Sequence, residues 1–513
     1  MPVSAAYPTP LTPQQLRARA GRVCVALSGP DMLQVAAEAV GQHRFLELRL
    51  DSLPDPASLL PGLQAFLHTH PEVTAVSTCR RTSFGGAFQG TAQEQAAILQ
   101  ASVEAGCLLV DAEVETAEEL GPDVLATMRK AGAAVILSWH DFAGTPDLLP
   151  VLRRLQSFQP DFLKIVPTAQ TLNDSLLLID LLEQHGADGN LVAMSMGLKG
   201  VLTRVLGPRF GSAFTFAAPD GGGGTAPGQV SASTLRDLYR VESISLETEI
   251  YGVAGTPIGA SLSPLMHNTA LKQAGRDAVY LPLETGDAQE LLQVAERLKL
   301  RGLSITMPLK ETVLPLLTTS DPEVVTMGAC NTILREADGT LHGFNTDVAG
   351  IVGPLETRCS LLGKRVLVLG AGGAARAAVF GLTARGAEVY LLNRTRERAE
   401  ALAQESGASV LRQEALTGTR FDIIINSTPY GMRGREMDAP IPPAEMRCDL
   451  FFDLVYNPLQ TPLMKVAEDR GIQTIPGAAM FVAQGVRQFE LWTGLKAPEE
   501  AMLRVVTEAL GAA

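Results

Sequence analysis

The chain has 513 residues, 46% of them hydrophobic and 19% charged, so it can bury real cores, and its length predicts two to four domains at about 150 residues each. A formal net charge of −13 argues against a nucleic-acid surface, which needs a dense basic patch, but leaves room for a small anionic ligand held by a few arginines or lysines. No window approaches 18 apolar residues without charge, so no membrane-crossing helix is expected.

The first residues, Met1 to Arg22, carry Pro2, Pro8, Pro10 and Pro13 but no apolar run, and do not read as a signal peptide. Cys24, Cys79, Cys107, Cys330, Cys359 and Cys448 form no C-x-x-C pair and lie at no zinc-finger spacing from a histidine; they read as reduced thiols of a cytoplasmic protein. Short apolar runs then alternate with helical stretches: Val23–Leu27, Phe45–Leu48, Val73–Thr78, Leu108–Asp111, Ala134–Ser138, Phe162–Val166, Leu191–Met194 and Ala213–Phe216. Eight strands alternating with helices predict a closed (β/α)8 TIM barrel, with a doubly wound open sheet as the competing α/β architecture. The polar stretch Val241–Glu249 separates the halves, and a new series of strands begins at Tyr251. Arg365-Val-Leu-Val-Leu runs straight into Gly370-Ala371-Gly372-Gly373-Ala374-Ala375 and an alanine-rich helix, which is the context that gives a G-x-G-x-x-A turn its meaning. Its glycines let the backbone approach a pyrophosphate, and the helix start offers free N–H groups. The domain reading is 1–244, 245–350, 351–477 with the Rossmann-type turn, and 478–513 as helices packing back on the second of these.

In a β/α barrel the chemistry sits where strands end. Those ends supply Glu47 and Arg49, Arg80, Asp111 and Glu113, His140 and Lys164, with Arg204 and Gln229 after later strands. Arginines suit a carboxylate ligand, and a lysine set among Leu163, Ile165 and Val166 is costly to bury charged, so a neutral amine fit for imine formation is expected. In the second half the strand Glu388–Leu392 ends in Asn393-Arg394-Thr395, which offers donors and a cation for a 2′-phosphate where an acidic residue would bind a ribose hydroxyl; this favours NADP over NAD. Lys310 and Asp347 stand at strand exits and are candidates for the proton donor that a dehydrogenase needs.

The segments Glu47-Leu-Arg49-Leu-Asp51, Ser77-Thr-Cys-Arg80, Ser138-Trp-His140-Asp, Asp161-Phe-Leu-Lys164-Ile, Gly200-Val-Leu-Thr-Arg204 and Thr225-Ala-Pro-Gly-Gln229 resemble type I 3-dehydroquinate dehydratase, in that family's order. The resemblance implies that Lys164 forms a Schiff base with the substrate ketone and that His140 moves the protons, without metal. It further implies that Glu47, Arg49, Arg80, Arg204, Thr225 and Gln229 hold the substrate, and that the Gly221–Gly224 run forms a lid. One position departs from the pattern: Phe84 stands where the family has a glutamate that orients the catalytic histidine, and a phenyl ring cannot accept that hydrogen bond. Slower dehydration, or a substitute acid such as Glu113, is expected.

From Tyr251 onward the segments Ser261-Leu-Ser263-Pro, Thr306-Met-Pro-Leu-Lys310, Ala329-Cys-Asn331-Thr, Asn345-Thr-Asp347, Asn426-Ser-Thr428-Pro, Asp453-Leu-Val-Tyr456 and Met480-Phe-Val-Ala-Gln484 resemble shikimate dehydrogenase. The resemblance implies a catalytic pair of Lys310 and Asp347, with substrate contacts from Ser261, Ser263, Thr306, Asn331, Tyr456 and Gln484. It implies NADP(H) held by Gly370, Gly372, Gly373, Ala374, Asn393, Arg394, Thr395, Thr428 and Gly477. The product of the first family is the substrate of the second, so a fusion performing two consecutive steps of the shikimate pathway is expected, with 3-dehydroquinate, 3-dehydroshikimate and shikimate as its small-molecule partners. The alternatives are a quinate/shikimate dehydrogenase with an impaired dehydratase half, and a non-catalytic metabolite sensor that keeps both folds.

Overall fold

The structure, a computed structural model, describes residues 10–222, 224–226 and 228–511. The chain divides into two compact units, with the main break between Thr248 and Glu249.

The first unit is the eight-stranded parallel barrel. Its strands are β1 (Val23–Leu27), β2 (Phe45–Arg49), β3 (Thr74–Thr78), β4 (Leu109–Glu113), β5 (Ala134–His140), β6 (Phe162–Val166), β7 (Leu191–Ala193) and β8 (Thr215–Ala217), in the sheet order β7-β6-β5-β4-β3-β2-β1-β8. The ladder therefore runs round to β8 beside β1, and the Ala213 N–H donates to the Leu191 carbonyl (2.8 Å) across the remaining seam. The helices between strands start where the sequence caps them. Thr91 and Glu94 form a reciprocal capping box before Ala92–Glu104, and Thr171 and Asp174 another before Leu172–His185. The helix Leu148–Gln156 buries Leu148, Leu152 and Leu155, a single stripe at helical spacing.

Strand side chains alternate, so residues two apart face the same way and stack in layers inside the barrel. Phe45, Val76, Leu109, Ile136, Phe162 and Val192 form an apolar layer in the barrel core. Two residues further along the same strands stand Glu47, Thr78, Asp111, Ser138, Lys164 and Met194, a layer that is polar except for Met194 and is fully buried. Another two residues on come Arg49, Arg80, His140 and Met196 at the mouth. The alternation that fills the core thus also stacks the functional groups above it.

The second unit holds two sheets. A mixed sheet runs β10-β9-β11-β13-β14-β12, built from β9 (Glu249–Gly255), β10 (Ala278–Glu284), β11 (Gly302–Ile305), β12 (Thr319–Ser320), β13 (Thr332–Arg335) and β14 (Leu341–Phe344). Within it β11 pairs parallel to β9 and antiparallel to β13. The other sheet is wholly parallel and runs β17-β16-β15-β18-β19-β20, from β15 (Arg365–Leu369), β16 (Glu388–Leu392), β17 (Ser409–Val410), β18 (Ile423–Asn426), β19 (Leu450–Asp453) and β20 (Gln473–Ile475). Counting from β15 the spatial order is 3-2-1-4-5-6, the doubly wound dinucleotide-binding order. Both faces of this sheet are covered, Val366 and Val368 entering one core and Leu367 and Leu369 another, which explains why β15 reads as an unbroken apolar run. The helices Gly477–Thr493 and Glu499–Gly511 bury Val482, Phe489, Trp492, Met502 and Val506 against Tyr251, Val253, Met266 and Tyr280 of the mixed-sheet lobe. Among the described residues no helix is long and apolar enough to cross a membrane.

Candidate active sites

The barrel mouth opens on a cavity of about 510 Å³, its solvent-filled entrance included, lined by Glu47, Arg49, Arg80, His140, Lys164, Arg204, Thr225 and Gln229. These are the eight barrel residues that the dehydratase resemblance singled out, gathered from six separated segments into one place. Lys164 Nζ lies 2.6 Å from Asp111 Oδ2, 3.8 Å from Glu47 Oε1 and 3.8 Å from the centre of the Phe216 ring. Burial acts to raise the Asp111 carboxyl, but Lys164, Arg80 and a hydrogen bond from Ser138 (2.6 Å) outweigh it and hold the group below the usual carboxylate range. The expectation of a lysine set only among apolar neighbours is thereby corrected, because Asp111 and Glu47 stand within ion-pair distance of its ammonium group. Asp111 was visible as a strand end, but nothing in the sequence tied it to Lys164.

Arg80 bridges the cavity: Nη2 donates to Asp111 Oδ1 (3.0 Å) and Nη1 contacts both ring nitrogens of His140. Burial first, then the charges of Arg80, Lys164 and Arg49, push the His140 imidazole well below its ordinary value, so it is neutral at pH 7 and fit to act as a base. The Phe142 ring stacks beside it with centroids 6.2 Å apart, and a Cβ on Gly85 would collide with that ring. Phe84 lies with its ring under the Arg81 guanidinium at 5.0 Å. Glu113 does not take over the missing glutamate's task. Its carboxylate accepts from Arg81 N (3.1 Å), Arg81 Nε (3.3 Å) and Gln95 Nε2 (2.8 Å) and is spent on those partners. Arg80 is the group that His140 meets instead. A Phe84→Glu variant is expected to raise the imidazole's pKa, because a carboxylate favours the charged ring. The acid limb of dehydration kcat/KM then moves up by about one pH unit; an unmoved limb would show that Arg80 alone sets the state of His140.

Arg204 is 1% exposed and has no carboxylate partner among the described residues. Its Nη1 reaches only Met194 Sδ and the Phe216 carbonyl, both at 3.4 Å, its Nε has no acceptor, and burial pulls it down to about 10. An unpaired buried cation lining a cavity calls for an anion there. Gln229 Oε1 accepts from Thr225 N (2.7 Å) and Ala226 N (3.3 Å), which holds these residues together at the lining of the same cavity. The expected lid, Gly221–Gly224, includes Gly223, which lies outside the described residues.

In the second unit Lys310 Nζ stands 2.5 Å from Asp347 Oδ2, and Asn331 Nδ2 donates to Asp347 Oδ1 (2.8 Å). Asp347 begins the helix Asp347–Glu356, and Lys310 lies in the short turn that follows β11. Thr306 ends β11's run, its N–H bonded to the Ala254 carbonyl (2.9 Å). Ser261 Oγ accepts from the Ser263 N–H (3.2 Å) at the head of the helix Ser263–Gln273. Gln484 packs where a side chain on Gly350 would collide with it, on the helix that Asp347 begins. Tyr456 stacks on Phe481 with centroids 4.6 Å apart.

The dinucleotide turn fits a pyrophosphate. Gly370 has φ +112°, which other residues rarely adopt, and a Cβ on Gly372 or Gly373 would meet nothing, so the space before the helix Gly373–Thr383 is open. Ala374 follows in the first turn. Asn393 Nδ2 donates to the Thr395 carbonyl (2.8 Å), which turns the chain at the end of β16 and leaves Arg394 and Thr395 exposed. Thr428 is fixed by Asn426 Oδ1, which accepts from its N–H (3.1 Å) and its hydroxyl (2.6 Å). A Cβ on Gly477 would strike the Val455 carbonyl, so that helix start can lie close to β19's exit only as glycine.

Family models agree with this division. Type I 3-dehydroquinase matches residues 23–245, the shikimate dehydrogenase substrate binding domain 253–333, shikimate / quinate 5-dehydrogenase 355–453, and the shikimate 5'-dehydrogenase C-terminal domain 477–507. A bifunctional 3-dehydroquinate dehydratase/shikimate dehydrogenase of Arabidopsis thaliana, described as chloroplastic, is 32% identical over 95% of this chain and 84% of its own length. The chain belongs to the bifunctional 3-dehydroquinate dehydratase/shikimate dehydrogenase family. Its second half is also 40% identical to a shikimate dehydrogenase (NADP(+)) of Methanosarcina acetivorans, a match that covers 51% of this chain and 99% of that protein. A solved shikimate dehydrogenase in complex with NADP+ superposes on 52% of this chain and 97% of its own, with a TM-score of 0.50 and 34% identity. Membership in this family gives the two units their places as a dehydratase barrel and a dehydrogenase.

Proposed function

We propose that the chain catalyses two consecutive reactions: dehydration of 3-dehydroquinate to 3-dehydroshikimate in the barrel, then NADPH-dependent reduction of that ketone to shikimate in the second unit. The observation that carries the first reading is the convergence of Lys164, neutral His140 and unpaired Arg204 on one cavity. Arg204 takes the substrate carboxylate, and Glu47, Arg49, Arg80, Thr225 and Gln229 hold its hydroxyls and its carboxylate. Lys164 must lose a proton before it attacks, and Asp111 and Glu47 are the carboxylates within reach. The amine adds to the C3 ketone and expels water to form an imine, which withdraws electrons from C2. His140 removes the C2 proton, the C1 hydroxyl leaves as water with a proton returned from His140, and hydrolysis frees Lys164.

In the second unit NADPH supplies the hydride when bound. Gly370, Gly372, Gly373 and Ala374 receive its pyrophosphate, Asn393, Arg394 and Thr395 its 2′-phosphate, and Thr428 and Gly477 border the nicotinamide end. Lys310, oriented by Asp347, delivers a proton to the C3 oxygen as the ketone is reduced, while Ser261, Ser263, Thr306, Asn331, Tyr456 and Gln484 hold the carboxylate and hydroxyls.

A coupled assay tests both halves. Purified chain, 3-dehydroquinate and NADPH should consume NADPH with no added enzyme, and NADH should serve poorly. Consumption only when 3-dehydroshikimate is supplied would favour the second reading, motivated by Phe84, of a dehydrogenase joined to an impaired dehydratase. Arg204 offers a further check. Arg204→Leu is expected to raise KM for 3-dehydroquinate about tenfold or more, since a charged hydrogen-bonded contact to the carboxylate is lost. The same change should raise Tm by roughly 2–4 °C for each kcal/mol regained by removing a buried unpaired charge. Kinetics and thermal unfolding of one variant thus move in opposite directions.

A further inference from the structure

Asp347 receives more than the Lys310 ammonium. A file of hydrogen bonds, all polarised the same way, ends on its carboxylate. The Tyr280 phenol donates to Ser304 Oγ (2.6 Å), and Ser304 Oγ donates to Gln488 Oε1 (2.8 Å). Gln488 Nε2 donates to Thr332 Oγ1 (3.0 Å), Thr332 Oγ1 donates to Asn331 Oδ1 (2.8 Å), and Asn331 Nδ2 donates to Asp347 Oδ1 (2.8 Å). Every side chain in the file is buried.

Two anchors fix its direction. The Thr346 N–H donates to Asn331 Oδ1 (2.7 Å), which turns the Asn331 amide so that its nitrogen faces Asp347. At the other end burial pushes His267 down to about 3, so its ring is neutral. Its Nε2 lies 3.2 Å from Gln488 Oε1 and its Nδ1 has no partner, so the tautomer that leaves no buried N–H unpaired carries the proton on Nε2 and donates to Oε1. With Ser304 and His267 both donating to Gln488 Oε1, the Gln488 nitrogen must face Thr332. Donors aimed at a carboxylate favour its charged form, and aligned hydrogen bonds strengthen one another in a dry interior.

We propose that Gln488, on the helix Gly477–Thr493, is a positioning residue that acts through Thr332 and Asn331 to orient Asp347 and keep it ionised beside Lys310. The proposal rests on the reading of Lys310 and Asp347 as the reacting pair. It gives the C-terminal helix a part in the chemistry through a side chain that touches neither substrate nor cofactor. The sign is definite: with the file cut behind it, Asn331 is a less polarised and less firmly held donor to the charged carboxylate, so activity is lost earlier on acidification.

The test is the pH dependence of shikimate oxidation by NADP+ in the full chain carrying Gln488→Leu, Thr332→Val, both together, or Thr332→Ser. The lower apparent pKa of kcat/KM should rise by about half a unit or more in each of the first two, with kcat at neutral pH down severalfold and KM for NADP+ unchanged. The double variant should do no more than either alone, because both cut the same file. Thr332→Ser, which keeps the hydroxyl, should retain the parent profile. The unchanged KM for NADP+, measured on the same samples, reports on the integrity of the second unit. Limbs that stay at the parent position, or losses that add in the double variant, would overturn the proposal while leaving Lys310 and Asp347 in place. If Gln488→Leu does not fold, the Thr332→Val and Thr332→Ser pair decides by itself. A parent chain with no shikimate oxidation would defeat the reading of the pair, and this proposal with it.

Discussion

Replacing Lys164 with alanine should reduce dehydration of 3-dehydroquinate by about 10⁴-fold or more, while shikimate oxidation with NADP+ continues at the parent rate. Imine formation splits one difficult elimination into easier steps, and among the described residues that line the cavity no other primary amine stands beside Lys164: the rest are arginines, a histidine, a glutamate, a threonine, a glutamine and apolar groups. Arginine at position 164 should fail as well, since a guanidinium stays protonated and cannot attack a ketone. Borohydride added to the parent chain with 3-dehydroquinate should leave a stable adduct on the Lys164 peptide, read by mass spectrometry. An adduct on a different lysine, or dehydration that survives the alanine variant, would remove the Schiff-base mechanism.

The second large effect is expected at Lys310. Lys310→Met should lower kcat for shikimate oxidation by roughly 10²–10⁴-fold, the range typical of a lost general acid–base group, with little change in the KM for NADP+. Lys310 lies in the turn after β11, whereas the dinucleotide turn begins at the end of β15, so cofactor binding does not depend on it. Asp347→Asn should cost less, since an amide can still receive the Lys310 hydrogen bond but carries no charge to hold the ammonium. Steady-state kinetics in both directions would check this. A variant whose loss lies entirely in KM would show that Lys310 binds the substrate and leaves the proton to another group.

Much of this was legible in the chain before any coordinates. Eight apolar runs at regular spacing gave the barrel, because strands buried on both faces must be apolar. The same alternation put Lys164 two residues beyond Phe162 and therefore in the barrel interior. What the sequence could not show was distance around the barrel. Asp111 on β4 and Lys164 on β6 are 53 positions apart, and it is their flanking of β5 on the inward-curved face of the sheet that brings the side chains to 2.6 Å, so the lysine was read as unpaired when it is not. Glu113 was misjudged for the same reason: its fate depends on Gln95 and Arg81, which arrive from a helix and from the loop after β3. Gln488 was passed over for Gln484 because its partners lie more than 150 residues earlier, on strands of a different sheet pattern.

The barrel ladder is also uneven. β7 and β8 are three residues long, against five to seven for the other six strands, and they meet at the seam. Thr225 and Gln229 belong to the segment that leaves β8, whereas Lys164 and His140 stand on β6 and β5 within the continuous ladder. The reacting groups are therefore mounted on the longer strands of the barrel, while Thr225 and Gln229 follow one of its shortest. Lys164 and His140 thus owe their spacing to paired backbone on both sides, β5 and β6 lying next to one another in the ladder.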